Sequence, residues 1–282
     1  MARTLQRALS RLPRRLVVLL VIACALLWLL PVIMVVLASL KSSHDFASSG
    51  FLELPKEIAW TNFDMFFGGI NIGQKILNSF TISLGAVLIS IVIAFPVAYA
   101  VSVGKHRLRP LVITLSVLIF LLPVESVAFP IYLLSKMTGQ YGSIWFLIAP
   151  LGIIGSAFAI FLLANVMTHI PASLPEAAEI DGANKWQVMW KVVLPLMTPT
   201  LLTVSLLLFV NNWNEYLLTL LLLPDTASQT VPLAISMVNY GQFGGAPGEL
   251  VAAASVLAAL PSLVVFLFFQ RTLVRGITAG TQ

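Results

Sequence analysis

A chain of 282 residues that is 59% hydrophobic and only 10% charged, with a mean hydropathy of +0.98, is far too apolar for a water-soluble domain and reads as a polytopic membrane protein. Its net charge of +5 gathers at the ends of apolar runs, which is a matter of membrane topology and no argument for nucleic-acid binding. A lone cysteine, Cys24, excludes an intrachain disulfide, and His44, His106 and His169 lack the spacing of metal ligands.

Six stretches are long enough to cross about 30 Å of hydrocarbon at about 1.5 Å per residue: residues 16–40, 76–103, 111–134, 143–167, 200–223 and 250–270. The expected fold is therefore all-α, with six transmembrane helices. The first run follows Arg3, Arg7, Arg11, Arg14 and Arg15 and is too long for the apolar region of a signal peptide, so it reads as an uncleaved anchor. The N-terminal arginines, a basic turn at Lys105, Arg107 and Arg109, the loop carrying Lys185 and Lys191, and the terminal Arg271 and Arg275 hold most of the basic residues. By the positive-inside rule these segments, both termini included, face the cytoplasm.

Between the first two spans lies an outer segment, residues 41–75, which mixes charge, glycine and aromatics such as Trp60, Phe63, Phe66 and Phe67 and is expected to pack on the outer rim. The second span opens with Asn78 and Ser79, whose polar side chains suit a bond to a neighbouring helix, and Pro96 predicts a kink near its inner end. The turn Gly104-Lys105-His106-Arg107 is no phosphate-binding loop, because GxxxxGK[ST] is absent throughout. In the third span Pro123 and Pro130 each remove a backbone hydrogen bond, so the helix is expected to break or kink. Glu125 sits between them. A carboxylate at that depth costs about 2–3 kcal/mol, so it must face protein or a wet cavity, either lining a path or bonded to an adjacent helix. The fourth span offers small faces at Gly152, Gly155, Ser156, Ala157 and Ala159 for close helix packing.

The polar stretch from Pro171 to Pro195 reads as two short capped helices. Ser173 with Glu176, and Asn184 with Gln187, have capping-box spacing. The first piece, residues 174–183, carries Glu176, Glu179 and Asp181 beside the small Ala177 and Ala178, and Gly182 permits a sharp bend. On the second, Trp186, Met189, Trp190 and Val193 recur at i, i+3, i+4 and i+7, an apolar stripe expected to lie flat on the bilayer surface. The fifth span carries Asn211-Asn212-Trp213-Asn214-Glu215-Tyr216 at its middle. A continuous helix would place Asn211, Asn214 and Glu215 on one face, aimed into a central cavity. Amides, a carboxylate and the Tyr216 ring suit sugar hydroxyls and sugar C–H faces; the same residues suit polar contacts between helices or subunits equally well. Trp213 points elsewhere and suits packing. The outer loop, residues 224–249, has a glycine-rich run, residues 240–248, but no phosphate-site signature follows it.

Several of these pieces resemble one family. Glu176-Ala177-Ala178, three residues, Gly182, nine residues and then Val192-x-Leu194-Pro195 resembles the EAA loop of permease subunits in binding-protein-dependent ABC importers. The segments Leu54-Pro55 with Trp60-Thr61-Asn62-Phe63, Ile76-Leu77-Asn78-Ser79, Trp213-Asn214-Glu215 and Gln270-Arg271 with Gly276-Ile277-Thr278-Ala279-Gly280 resemble the maltose-type, carbohydrate group. The resemblance implies a type I ABC importer permease fold in three parts: residues 1–75, a tail, first helix and outer segment; residues 76–273, a five-helix core with the coupling loop at 171–195; and residues 274–282, a tail that stops short of the family's usual Lys-Gly ending.

It further implies that Glu176, Ala177, Ala178, Asp181, Gly182, Leu194 and Pro195 dock a separate ATPase; Glu125, Asn211, Asn214, Glu215 and Tyr216, the polar and aromatic groups at mid-span depth, are the candidate substrate-path residues on their own chemistry. The implied partners are a second, homologous permease in a heterodimer, two ATP-binding subunits, an extracytoplasmic solute-binding protein, membrane lipid and a sugar. ATP and Mg2+ would sit in the ATPase, leaving this chain without a cofactor and without enzymatic activity of its own, in a bacterial or archaeal cell membrane. An importer of glycerol phosphate or polyols is the alternative within the class, although no Lys or Arg lies mid-span to receive a phosphate. A proton-coupled carrier using Glu125 and Glu215 is a remote one.

Overall fold

The computed structural model describes residues 14–104, 106–240 and 247–279, and every regular element among them is helical. Five helices are long and apolar enough to cross a membrane, or six if one bent pair counts as a span. The chain divides into two compact units, Met1–Ile70 with Val238–Leu257, and Asn71–Met237 with Ala258–Gln282.

In the first unit, α1 (Arg14–Ser39) is apolar on every side, and none of its most hydrophobic stretch is buried within the chain. Such a surface belongs in lipid or against another chain. The outer segment that follows is a folded cap held by polar contacts. Ser42 caps α2 (Ser43–Ser48) by accepting from the Asp45 amide. The buried Lys41 ammonium donates to Ser49 Oγ and the Gly50 carbonyl, each at 2.7 Å, and the Asn62 amide, on α3 (Thr61–Asp64), donates to the Ser39 and Lys41 carbonyls. Every one of these donors would be costly to bury unpaired.

The second unit is built around α4 (Ile72–Ser102) and α7 (Ile144–Met167). The small faces expected of the fourth span are used here. A Cβ on Gly152 would stand 2.6 Å from Ile89, and one on Gly155 2.6 Å from Ser90 Oγ, so the two helices meet with almost nothing between their backbones. Ser90 Oγ donates to the Gly152 carbonyl at 2.8 Å and Ser102 Oγ to the Ala164 carbonyl at 2.9 Å. Beside this seam, Ile82, Ala86, Leu147, Ile148 and Leu151 form a buried cluster with Ala128, Leu218 and Leu222.

The third span breaks as expected, but at one proline only. Helices α5 (Arg109–Leu121) and α6 (Val124–Met137) meet at 88°. Pro123 holds Leu122 in an extended conformation, φ −67° and ψ 126°, which a residue before proline prefers, whereas Pro130 lies inside an unbroken α6. The fifth span differs from its expected bounds at both ends. Helix α9 runs from Lys185 to Trp213 and stops there; Asn214, Glu215 and Tyr216 are not helical, and the chain resumes as α10 (Leu217–Leu222). After a 3-10 turn, Thr226–Ser228, come α11 (Val231–Tyr240) and α12 (Gly248–Ala279). Arg3, Arg7, Arg11, Lys105, most of the glycine-rich run and Gly280 onward lie outside the described residues.

Candidate functional site

Two sites come from the residues singled out above, one in the loop between α7 and α9 and one where α9 breaks. In the loop, α8 (Ser173–Ile180) starts a residue earlier than a capping box at Ser173 requires. Ala172 is already helical, and the Glu176 amide that Ser173 would have satisfied donates to the Ala172 carbonyl at 3.2 Å. The Ser173–Glu176 box therefore does not form. The Asn184–Gln187 box does: Asn184 Oδ1 accepts from the Gln187 amide at 2.9 Å, and Gln187 Oε1 from the Asn184 amide at 2.8 Å. Between them Gly182 takes φ +87°, a left-handed turn for which glycine is the natural residue, with nothing near its missing side chain.

The expectation of a separate surface helix fails. Residues 185–193 are the first turns of α9, and a π-turn at Met189–Val193 shifts the register. Met189 and Val193 are buried together with Val188, while Trp186 is 64% exposed and Trp190 sits against Phe95 at 5.8 Å between ring centres. The apolar stripe is thus divided between the core and the surface.

Of the residues that the resemblance assigns to ATPase docking, Glu176, Ala177, Asp181, Gly182 and Pro195 are exposed, and Ala178 and Leu194 half-buried. Ile180, which the sequence reading passed over, stands 86% exposed beside the Gly182 bend; an apolar residue at the end of an acidic helix was the available signal. Behind α8 lies a cavity of about 710 Å³ lined by Tyr99, His106, Arg109, Thr168, Glu176, Glu179 and Lys185, among others. Tyr99 donates from its hydroxyl to the Lys185 carbonyl at 3.2 Å.

At the second site the helical face expected for Asn211, Asn214 and Glu215 does not exist, because the helix ends at Trp213 and Asn214 occupies its C-cap. Asn214 turns back to donate to the Val210 carbonyl at 2.7 Å, and the Tyr216 hydroxyl accepts from Ser236 at 3.1 Å. Trp213 is buried and donates to the Ala258 carbonyl, a packing role. Asn211 and Glu215 do come together, lining a cavity of about 350 Å³ with Phe120, Phe158 and Leu207. Glu215 also accepts from the Leu218 amide at 2.8 Å and so caps the resumed helix.

Asn212 was not among the chosen path residues, yet it lines the same cavity. It is 6% exposed, and its buried amide nitrogen has no partner within the protein, a place for a buried water. Glu125, exposed in the first turn of α6, lines a separate cavity of about 510 Å³ with Phe129, Tyr132 and Leu217. Aromatic faces beside a carboxylate, and amides beside another, are groups that can pack on and hydrogen-bond a polyhydroxylated solute.

A family model described as the inner membrane component of binding-protein-dependent transport systems matches residues 86–279. The chain is 29% identical over 265 residues to a probable starch degradation products transport system permease protein of Thermoanaerobacterium thermosulfurigenes, covering 92% of this chain and 93% of that one. To the trehalose transport system permease protein of Mycobacterium tuberculosis it is 31% identical over 252 residues, 89% and 91% of the two chains. Among solved structures, a chain of a bacterial ABC transporter involved in the import of the acidic polysaccharide alginate superposes with a TM-score of 0.74 at 24% identity, over 91% of this chain and 94% of that one.

Proposed function

Because this chain belongs to the family of inner membrane components of binding-protein-dependent transport systems, we propose that it forms half of the translocation path of an ATP-driven importer for a neutral mono-, di- or oligosaccharide. The fold is that of a type I importer permease. The observation that carries the reading is the continuity of α9. One 29-residue helix begins at the Gly182 bend and ends at the break where Asn211, Asn212 and Glu215 line a cavity.

A partner ATPase that moved the loop would therefore move Asn211 and Asn212 on the same helix. The exposed carboxylates of α8, with Ile180 at its end, form the surface offered to that partner. A sugar is favoured as cargo by the amide and carboxylate groups in one cavity, the aromatics in the other, and relatives whose names refer to trehalose and to starch degradation products. In this reading a solute-binding protein delivers the sugar on the outer side and this chain pairs with a second permease in the cell membrane. Two ATPase subunits hold ATP and Mg2+, and their closure switches access from one side to the other.

The test is purification from the native membrane in mild detergent, identification of copurifying proteins, and ATP hydrolysis assayed with candidate sugars and the binding protein. Recovery of a second permease and an ATPase, with hydrolysis stimulated by one sugar-loaded binding protein, supports the proposal. Transport by the lone chain, indifferent to ATP and abolished by an uncoupler, overturns it.

A further inference from the structure

Helix α4 is bonded at both ends to non-helical or helix-starting main chain far apart in sequence. At its first turns Asn78 Nδ2 donates to the Ala227 carbonyl at 2.8 Å and the Gln229 carbonyl at 3.0 Å, and Ser79 Oγ accepts from the Val231 amide at 2.9 Å. The Lys75 ammonium donates to the Thr226 carbonyl. Gln74 donates to Asn78 Oδ1 at 3.0 Å, which fixes the amide with its nitrogen toward the carbonyls. Lys75, Asn78, Ser79, Gln229 and Thr230 are all buried. At the other end Tyr99 reaches the Lys185 carbonyl, and Phe95 meets Trp190.

From Asn78 to Tyr99 the helix rises about 32 Å, close to the hydrocarbon thickness of about 30 Å. Along that length the glycine seam with α7 holds it against a second helix, with Ser90 and Ser102 bonded across.

We infer that α4 is a strut joining the two faces of the transporter: Asn78 and Ser79 are positioning residues for the segment Thr226–Val231, and Tyr99 links the same helix to the start of α9. The chemistry makes slippage expensive. The buried Gln229 carbonyl and Val231 amide would be left unpaired at about 1–3 kcal/mol each if α4 moved without them, while at the other end the exposed Tyr99–Lys185 bond is backed by the Phe95–Trp190 ring contact. The segment therefore travels with α4, and α4 travels with Lys185. The inference rests on the importer reading, since it takes Lys185 to lie beside the ATPase-facing loop and Thr226–Val231 to lie on the opposite face.

The test uses the assembled complex in nanodiscs, with Cys24→Ser and Asp225→Cys in this chain, Asp225 being exposed beside the clamped segment. A membrane-impermeant maleimide reports the reactivity of that cysteine with and without ATP and vanadate. In the parent, trapping is expected to change the labelling rate by about fivefold or more. Asn78→Leu with Ser79→Ala should abolish most of that change while ATP hydrolysis without binding protein continues. Tyr99→Phe, which removes one oxygen and leaves the ring, should abolish most of it from the other end and covers the case in which the outer variant does not assemble. Hydrolysis without any change in the parent, or a full change retained in Tyr99→Phe or in an assembled outer variant, overturns the strut. Absence of hydrolysis in the parent complex overturns the importer reading and the strut with it.

Discussion

Ser90 donates a 2.8 Å hydrogen bond to the main-chain carbonyl of Gly152, sixty-two residues away, across the closest approach between α4 and α7. A Cβ at position 152 would lie 2.6 Å from two atoms of Ile89 and 3.1 Å from the Ala86 carbonyl. The Ile89 atoms are near its backbone and have little room to yield. Gly152→Ala is expected to destabilise the protein by about 1–3 kcal/mol, read as an earlier midpoint in denaturant titration of the purified chain in mixed micelles. An unchanged midpoint would mean that the helices separate freely and that the seam is not tight.

The two capping-box spacings in the loop predict opposite results. Asn184→Ala removes a formed box and is expected to cost about 1 kcal/mol locally, seen as roughly fivefold faster hydrogen exchange at the Gln187 amide. Ser173→Ala removes no cap and should leave exchange in α8 within about 0.5 kcal/mol of the parent. Equal effects at the two positions would contradict the geometry described for α8.

Gly182→Pro demands φ near −65° where the chain has +87°, and it deletes the amide that donates to the Glu179 carbonyl at 3.1 Å. The bend between α8 and α9 should be lost, and with it copurification of the ATPase and sugar uptake, while the membrane helices remain. Gly182→Ala meets no atom and should cost only the left-handed strain, about 1–2 kcal/mol. Intact uptake in the proline variant would remove the loop from the coupling mechanism.

Asn212→Leu separates transport from stability. The buried amide nitrogen has no partner, so an apolar residue of similar shape relieves an unmet hydrogen bond and should leave the protein as stable or more stable, by up to about 2 kcal/mol. If the cavity carries sugar, uptake should fall by about tenfold or more with assembly unchanged. Normal uptake in a stable Asn212→Leu variant would place the path elsewhere.

How much was legible beforehand varies by residue in a physically regular way. The spans are visible because hydrophobicity accumulates over some twenty residues, and the bend at Gly182 because a single residue type supplies that conformation. Pro123 announced a break, but nothing in the sequence separates it from Pro130, since only the packing of α6 decides which proline a helix can keep. Asn78 and Ser79 were readable as polar groups needing partners; that the partners are carbonyls and an amide some 150 residues on required the folded chain.

Asn211, Asn214 and Glu215 were assigned one face on the assumption of an unbroken helix, and the end of α9 at Trp213 removed the premise. By itself the sequence determined the helical membrane class, the number of apolar runs, the polar loop with its glycine hinge and the family, because each rests on composition or on spacing within a few turns. Tertiary structure alone decided that residues 185–193 run on into the helix that ends at Trp213, that Asn212 and not Asn214 lines the cavity, and that α4 is bonded to main chain at both ends. Those outcomes depend on which buried donors and acceptors find one another, and that choice is made by the whole packed chain.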